Sequence, residues 1–172
     1  MACTALIPEN TVILQFPGSP ESNALAYREE ITHPALPVPR IAQGTLAMSG
    51  DGRMIRHQRT PETEIVEIGE NFLRVRRGED AEANLLPIPD RLNQIFSFLR
   101  EITTSPDRTV ELARGAERKP DPLGWISVLG VYEDETTVSL LGCGTRMVGF
   151  EVRTSDGVRR RTVFGPTQER SE

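Results

Sequence analysis

The chain has 172 residues, with 20 Lys and Arg against 25 Asp and Glu, a net charge of −5. That balance argues against nucleic acid as a partner, because phosphate binding needs a positive surplus. Apolar content is 37% with few aromatics, so this length implies one domain with an aliphatic core, and no stretch approaches the ~20 apolar residues of a membrane span.

Residues 1–20 read as a tail carrying one short strand, Thr11-Val-Ile-Leu-Gln-Phe16, closed by Pro17-Gly18. Met1 to Phe16 has no basic leading segment, and Pro8-Glu9-Asn10 interrupts its apolar run, so no signal peptide is read here. Glu21 to Ile31 reads as a helix turn or as the first long strand. His33 to Pro39 holds three prolines and reads as a loop. Four short runs follow. Gly44 to Met48 is separated from Arg53–Arg59 by the turn Ser49-Gly50-Asp51-Gly52. Thr60-Pro61 separates that run from Thr63–Ile68, and Gly69-Glu70-Asn71 leads into Phe72–Arg76. Turn residues at these intervals predict an antiparallel meander.

Asn84 to Pro89 reads as an extended connector. Asp90 then suits an N-cap for a helix over Arg91–Ile102, with Leu92, Ile95, Phe96, Leu99 and Ile102 on one stripe. Thr103 to Pro106 ends it. Asp107 to Arg114 alternates as a strand, and Glu117 to Pro122 is a charged turn. Trp125 to Tyr132 is apolar on both parities, as a strand covered on both faces would be. Thr136–Leu141 is another strand. Arg146–Arg153 and Val158–Phe164 flank the hairpin turn Ser155-Asp156-Gly157, and Pro166 to Glu172 is a polar tail. The two cysteines are Cys3 in the tail and Cys143 between glycines; sequence leaves open whether they pair.

From Tyr27 to Phe164 this order of elements resembles the periplasmic lipoprotein carriers of the LolA/LolB type. The resemblance rests on Gly44-x-Leu46 and its following turn, Thr60-Pro61, the strand into Ile68-Gly69, the Leu85–Ile102 segment in the place of a lid helix, Trp125-x-x-x-Leu129, and the final hairpin Val148–Phe164. It implies a mainly β (α+β) fold: a strongly curved antiparallel sheet forming a half-open barrel, with a helix lid on its concave face. It further implies a periplasmic carrier of acylated lipoproteins or other lipids. By the resemblance, an inner-membrane transporter loads such a carrier and an outer-membrane receptor unloads it. Typical members have an Arg-Pro pair after the Gly-x-Leu strand, the arginine holding the lid closed. Here Gly50-Asp51 stands in that place, with Arg53 and Arg56 as candidate substitutes.

On this reading the lining of a lipid cavity comprises Leu46, Met48, Met54, Leu73 and Val75 from the meander and Leu92, Ile95, Phe96 and Leu99 from the helix. Trp125, Leu129, Val148, Phe150 and Val152 complete it from the later strands. Met48 and Met54 are adaptable fillers. Each CH₂ buried is worth about 0.8 kcal/mol, so an acyl chain binds without a polar motif. Arg159-Arg160-Arg161 is either a basic docking patch or a charged edge strand.

An enzyme is not expected. His33 and His57 have no metal-spaced neighbours, and Ser97 and Ser127 lack an elbow motif. No cofactor pattern is present and a monomer is expected. Two other readings stand beside the carrier: a scaffold or protein-binding module with a filled core, and a hydrolase of an acylated substrate. A void under the helix favours the carrier, dense packing the scaffold, and a buried polar triad around His57 the hydrolase.

Overall fold

The computed structural model describes residues 3, 6–8, 12–15, 24–48, 53–104, 109–112 and 117–165; for a few of these, only the backbone is described. The elements are β1 (Val12–Gln15), β2 (Ala24–Thr32), β3 (Arg40–Met48), β4 (Met54–Thr60), β5 (Glu64–Ile68), β6 (Phe72–Arg77), β7 (Asn84–Pro87), α1 (Asp90–Thr104), β8 (Thr109–Leu112), β9 (Arg118–Asp121), β10 (Gly124–Val131), β11 (Thr137–Cys143), β12 (Arg146–Arg153) and β13 (Arg159–Phe164).

The strands form one sheet in the order β7-β6-β5-β4-β3-β2-β13-β12-β11-β10-β9, antiparallel along this path, with β1 and β8 attached beside β12. The meander from β2 to β6 is local. The non-local step is β13 beside β2, which pairs Phe164 with Tyr27 and Thr162 with Glu29.

This corrects the expected half-open barrel with a helix lid. The chain is nearly all β, and its sheet is open: β7 and β9 lie at opposite ends of the path and do not pair with each other. Eleven strands at about 4.8 Å spacing cover roughly 48 Å. A segment of α1's length covers about 22 Å, too little to roof such a sheet. It packs mainly against β8, β10 and β11.

Asn84–Pro87, expected as a connector, is instead the terminal strand β7, paired to β6 from Phe72↔Pro87 to Val75↔Asn84. Proline is tolerated there because one side of a terminal strand needs no ladder donors. The arginines of β13 are not on an edge. β13 lies between β2 and β12; Arg159 pairs with Glu30 at 3.7 Å, and Arg161 binds Glu151 at 3.2 Å and Asp121. β10 is not covered evenly on both faces, since Trp125 and Ser127 are buried while Val128 and Val131 are exposed. The turn at residues 49–52, residues 105–108 after α1 and the tail 166–172 lie outside the described residues.

The core joins both halves of the sheet. Tyr27, Met54, Ile68, Leu99, Trp125, Val138, Leu140, Met147, Val152 and Phe164 form one buried cluster. Cys3 and Cys143 are joined by a disulfide, Cα–Cα 5.8 Å, which ties the beginning of the chain to the end of β11.

Candidate functional site

One cavity of about 640 Å³ opens against the sheet face that carries this core. It falls within the ~300–1,000 Å³ of small-molecule sites. Alternate residues of each strand face it, as the pleat requires: Met54 and Arg56 on β4, Glu64, Val66 and Ile68 on β5, Phe150 and Val152 on β12, Thr162 and Phe164 on β13.

Of the expected lining, Leu46, Met54, Leu73 and Val75 from the meander, Leu92, Phe96 and Leu99 from α1, and Phe150 and Val152 from β12 all reach this one cavity. Trp125, Leu129 and Val148 do not line it. Trp125 is wholly buried, its Nε1 donating to Gly144 O at 3.1 Å, with the Arg118 guanidinium 5.5 Å from its ring centroid. Leu129 and Val148 fall at two irregularities. The β10–β11 register passes from Val128↔Ser139 to Gly130↔Val138, and the β11–β12 register from Leu141↔Gly149 to Gly142↔Met147. Each irregularity sets two steps of one strand against one step of its partner and breaks the alternation, so Met147 enters the core where Val148 was expected. The side chains of Met48 and Ile95 lie outside the described residues.

The polar part of the cavity was not foreseen, apart from Arg56 as a candidate. Arg56 donates through Nη2 to Gln58 Oε1 at 2.9 Å and Glu29 Oε1 at 3.3 Å, and through Nη1 to Glu64 Oε1 at 3.3 Å. Arg77 Nε donates to Glu64 Oε2 at 3.0 Å, and Thr162 Oγ1 donates to Glu29 Oε2 at 3.2 Å. Arg53, the other candidate, pairs with Glu67 and does not line the cavity. The guanidinium of Arg56 lies over the Tyr27 ring, 5.0 Å from its centroid. Gly44 permits the close approach of β3 to the backbone of β4 at His57 and Gln58. It stands between Tyr27 and Gln58 in the ladder, and a Cβ on it would lie 1.9 Å from the His57 carbonyl oxygen.

Tyr27 is 1% exposed, and among the described residues its hydroxyl has no hydrogen-bond partner. Burial pushes its phenol up to about 12; the Arg56 charge opposes the rise and Glu29 and Glu64 add to it. The hydroxyl is therefore a neutral donor across the physiological range. Thr136, another lining residue, also has a buried hydroxyl without a partner among the described residues. Nothing in Tyr-Arg-Glu-Glu30 marks Tyr27 as a site residue; the one available signal was Tyr27 and Glu29 sharing a parity with Leu25 and Ile31.

His57 is half-buried and is absent from the lining, and the polar cluster around Arg56 does not include it. Among the described residues no group of three or more His, Cys, Asp or Glu is placed to hold a metal ion, and no helix is long and apolar enough to cross a membrane. No protein-family model matches the sequence, and no curated protein is significantly similar to it. The site is thus defined by its own geometry: a mostly apolar cavity on an open antiparallel sheet, with a paired charge cluster and two unpartnered hydroxyls in its wall.

Proposed function

We propose that this protein is a non-enzymatic carrier that takes an acyl chain of a lipoprotein or other lipid into the cavity lined by the sheet face and by Leu92, Phe96 and Leu99. The observation that carries this reading is the cavity itself. It measures about 640 Å³, and nine apolar side chains foreseen for it converge there. Ten buried methylenes are worth roughly 8 kcal/mol, enough for micromolar binding before the cost of association is subtracted. The paired charges of Arg56, Glu29, Glu64 and Arg77 balance one another in a wettable part of the cavity wall. The resemblance to the periplasmic carriers adds the setting: movement of acylated cargo between two membranes, received from an inner-membrane transporter and delivered to an outer-membrane receptor.

Native mass spectrometry of the purified protein, followed by solvent extraction and lipid analysis, tests the proposal. An acylated species released on denaturation is the expected result. A clean mass that stays unchanged after incubation with fatty acids, fatty-acid esters and acylated peptides overturns it and favours the protein-binding module.

A further inference from the structure

The cavity changes character along its length. One end is apolar, where Ile68 pairs with Met54 on β4 and with Leu73 on β6. The middle holds Arg56, Glu29, Glu64 and Arg77, whose charges are matched to one another. At the other end, beside the turn from β12 to β13, Arg160 is exposed and lines the cavity. Arg160 and Arg40 are both ladder partners of Ile31, one on each side of β2. Directly opposed residues share a face, so the two arginines stand on the cavity face about 10 Å apart, two strand spacings. Both are exposed, and among the described residues neither guanidinium has an ion-pair or hydrogen-bond partner. An apolar track starts at the same point. Val152 is the ladder partner of Arg160 and Phe150 that of Thr162, and the Phe150 and Phe164 rings lie 6.0 Å apart. Arg160 to Phe164 is about 13 Å along the strand.

We propose that Arg160 and Arg40 hold the anionic head, a carboxylate or a phosphate, of a single-chain amphiphile whose chain runs along Val152, Phe150 and Phe164 toward Phe96. This rests on the carrier reading and names its ligand class. Two arguments place the head at this end. A guanidinium matches the geometry of both anions, and its hydrogen bonds to an ionised acceptor are roughly twice as strong as neutral ones. Deeper in, Arg56 and Arg77 are already engaged, and an anion there would add a third negative charge to Glu29 and Glu64 in a part-buried wall. Asp134 and Asp156 also line the mouth. Both are committed to their own turns: Asp134 accepts from Thr136 N at 3.0 Å, and Asp156 accepts from Thr154 Oγ1 and from Val158 N at 3.3 Å. Their charges repel the head from the β12–β13 side. They leave it the gap over Ile31, where Arg40 on β3 completes the pair.

The test uses the intact protein and three twelve-carbon probes below their micelle concentrations: laurate, dodecyl phosphate and methyl laurate, each competing with a neutral fluorescent acyl reporter at pH 8. At least one of the anions is expected to compete about tenfold better than the ester, and which one leads tells a fatty acid from a phosphate-headed lipid. Combining Arg160→Gln with Arg40→Gln is expected to bring the anions to the level of the ester and to leave the ester unchanged. Both side chains are exposed, so the double variant is expected to melt with the wild type. A second measurement needs no variant: raising the salt concentration is expected to weaken the anions and not the ester. If no probe binds the wild type, the carrier reading itself fails. If the ester competes as well as both anions, or if either the salt or the double substitution leaves the anions unmoved, the arginine inference fails and the carrier stands. An equal loss of all three probes in the double variant would make the arginines supports of the mouth's shape and likewise overturn the inference.

Discussion

Gly142 lies directly against the indole of Trp125, so that a Cβ on it would come within 2.0 Å of Trp125 Cζ2 and 2.3 Å of Cε2. The two residues are ladder partners on β11 and β10, next to the irregularity that brings Met147 into the core. Trp125 is wholly buried and its Nε1 is held by Gly144 O, so the ring has nowhere to retreat. Overpacking a rigid core site forces side chains off their rotamers or displaces backbone. Gly142→Ala is therefore expected to destabilise the fold by about 2–4 kcal/mol, seen as a lower urea midpoint with an unchanged slope. A midpoint within error of wild type would show that the indole is free to shift.

The disulfide between Cys3 and Cys143 closes a loop of sequence separation 140. A cross-link of this kind stabilises mainly by restricting the unfolded chain, typically by about 2–4 kcal/mol. Cys3→Ser with Cys143→Ser, or reduction with dithiothreitol, is expected to lower stability by that amount while leaving the ladder of β2 to β6 intact. Denaturant titrations with and without reductant measure it. Superimposable curves would mean that the link constrains nothing that matters to folding.

The local half of this fold was legible and the long-range half was not. Thr60-Pro61 and Gly69-Glu70-Asn71 mark the turns of the β4–β6 meander, and Ser155-Asp156-Gly157 marks the β12–β13 hairpin, because turn chemistry acts over two to four residues. The pairing of β13 with β2 brings together residues 127 to 137 positions apart, and no local signal announces it. Hence Arg159–Arg161 read as an edge when they are interior, and the open sheet read as a lidded half-barrel. The cavity's apolar wall was legible through strand alternation, which failed at Leu129 and Val148 where the register slips by one. Its polar wall was not legible. Glu29, Arg56 and Glu64 have the composition of a solvent face, and only their mutual pairing makes their burial tolerable.

Asp121 and Arg161 predict acid sensitivity. Burial works to raise the Asp121 carboxyl. The hydrogen bond from Arg161, the Leu123 N–H at 2.9 Å and the charges of Arg161 and Arg159 outweigh it and hold the carboxyl below its ordinary 3.8. A carboxylate with a depressed folded-state value binds its proton more readily in the unfolded chain. Its stabilising contribution is present above pH 3.8 and is lost as pH falls through the depressed value. Asp121→Asn is expected to be less stable than wild type at pH 6, with the gap closing toward pH 3. Thermal melts across that range check it, and a gap independent of pH would assign the loss to packing.

Tyr27 predicts the opposite limit, at high pH. Its phenol titrates at about 12 in the folded protein against 10.0 in the unfolded chain. Below pH 10 both states hold the proton and nothing is lost. Between pH 10 and 12 the unfolded chain releases the proton while the folded one largely keeps it, so stability falls as pH rises, by about 2 kcal/mol over the interval. Tyr27→Phe removes the titrating group and the unpartnered donor together. It is expected to fold at neutral pH with stability equal to or above that of wild type, and to lose less between pH 10 and 12. Urea titrations at pH 8, 10, 11 and 12 for both proteins measure the difference, with the remaining tyrosine, Tyr132, and the arginines common to both. Parallel losses in the two proteins would mean that the folded-state phenol ionises as it does in water, and that Tyr27 is not held in the dry, charge-saturated setting that the cavity geometry gives it.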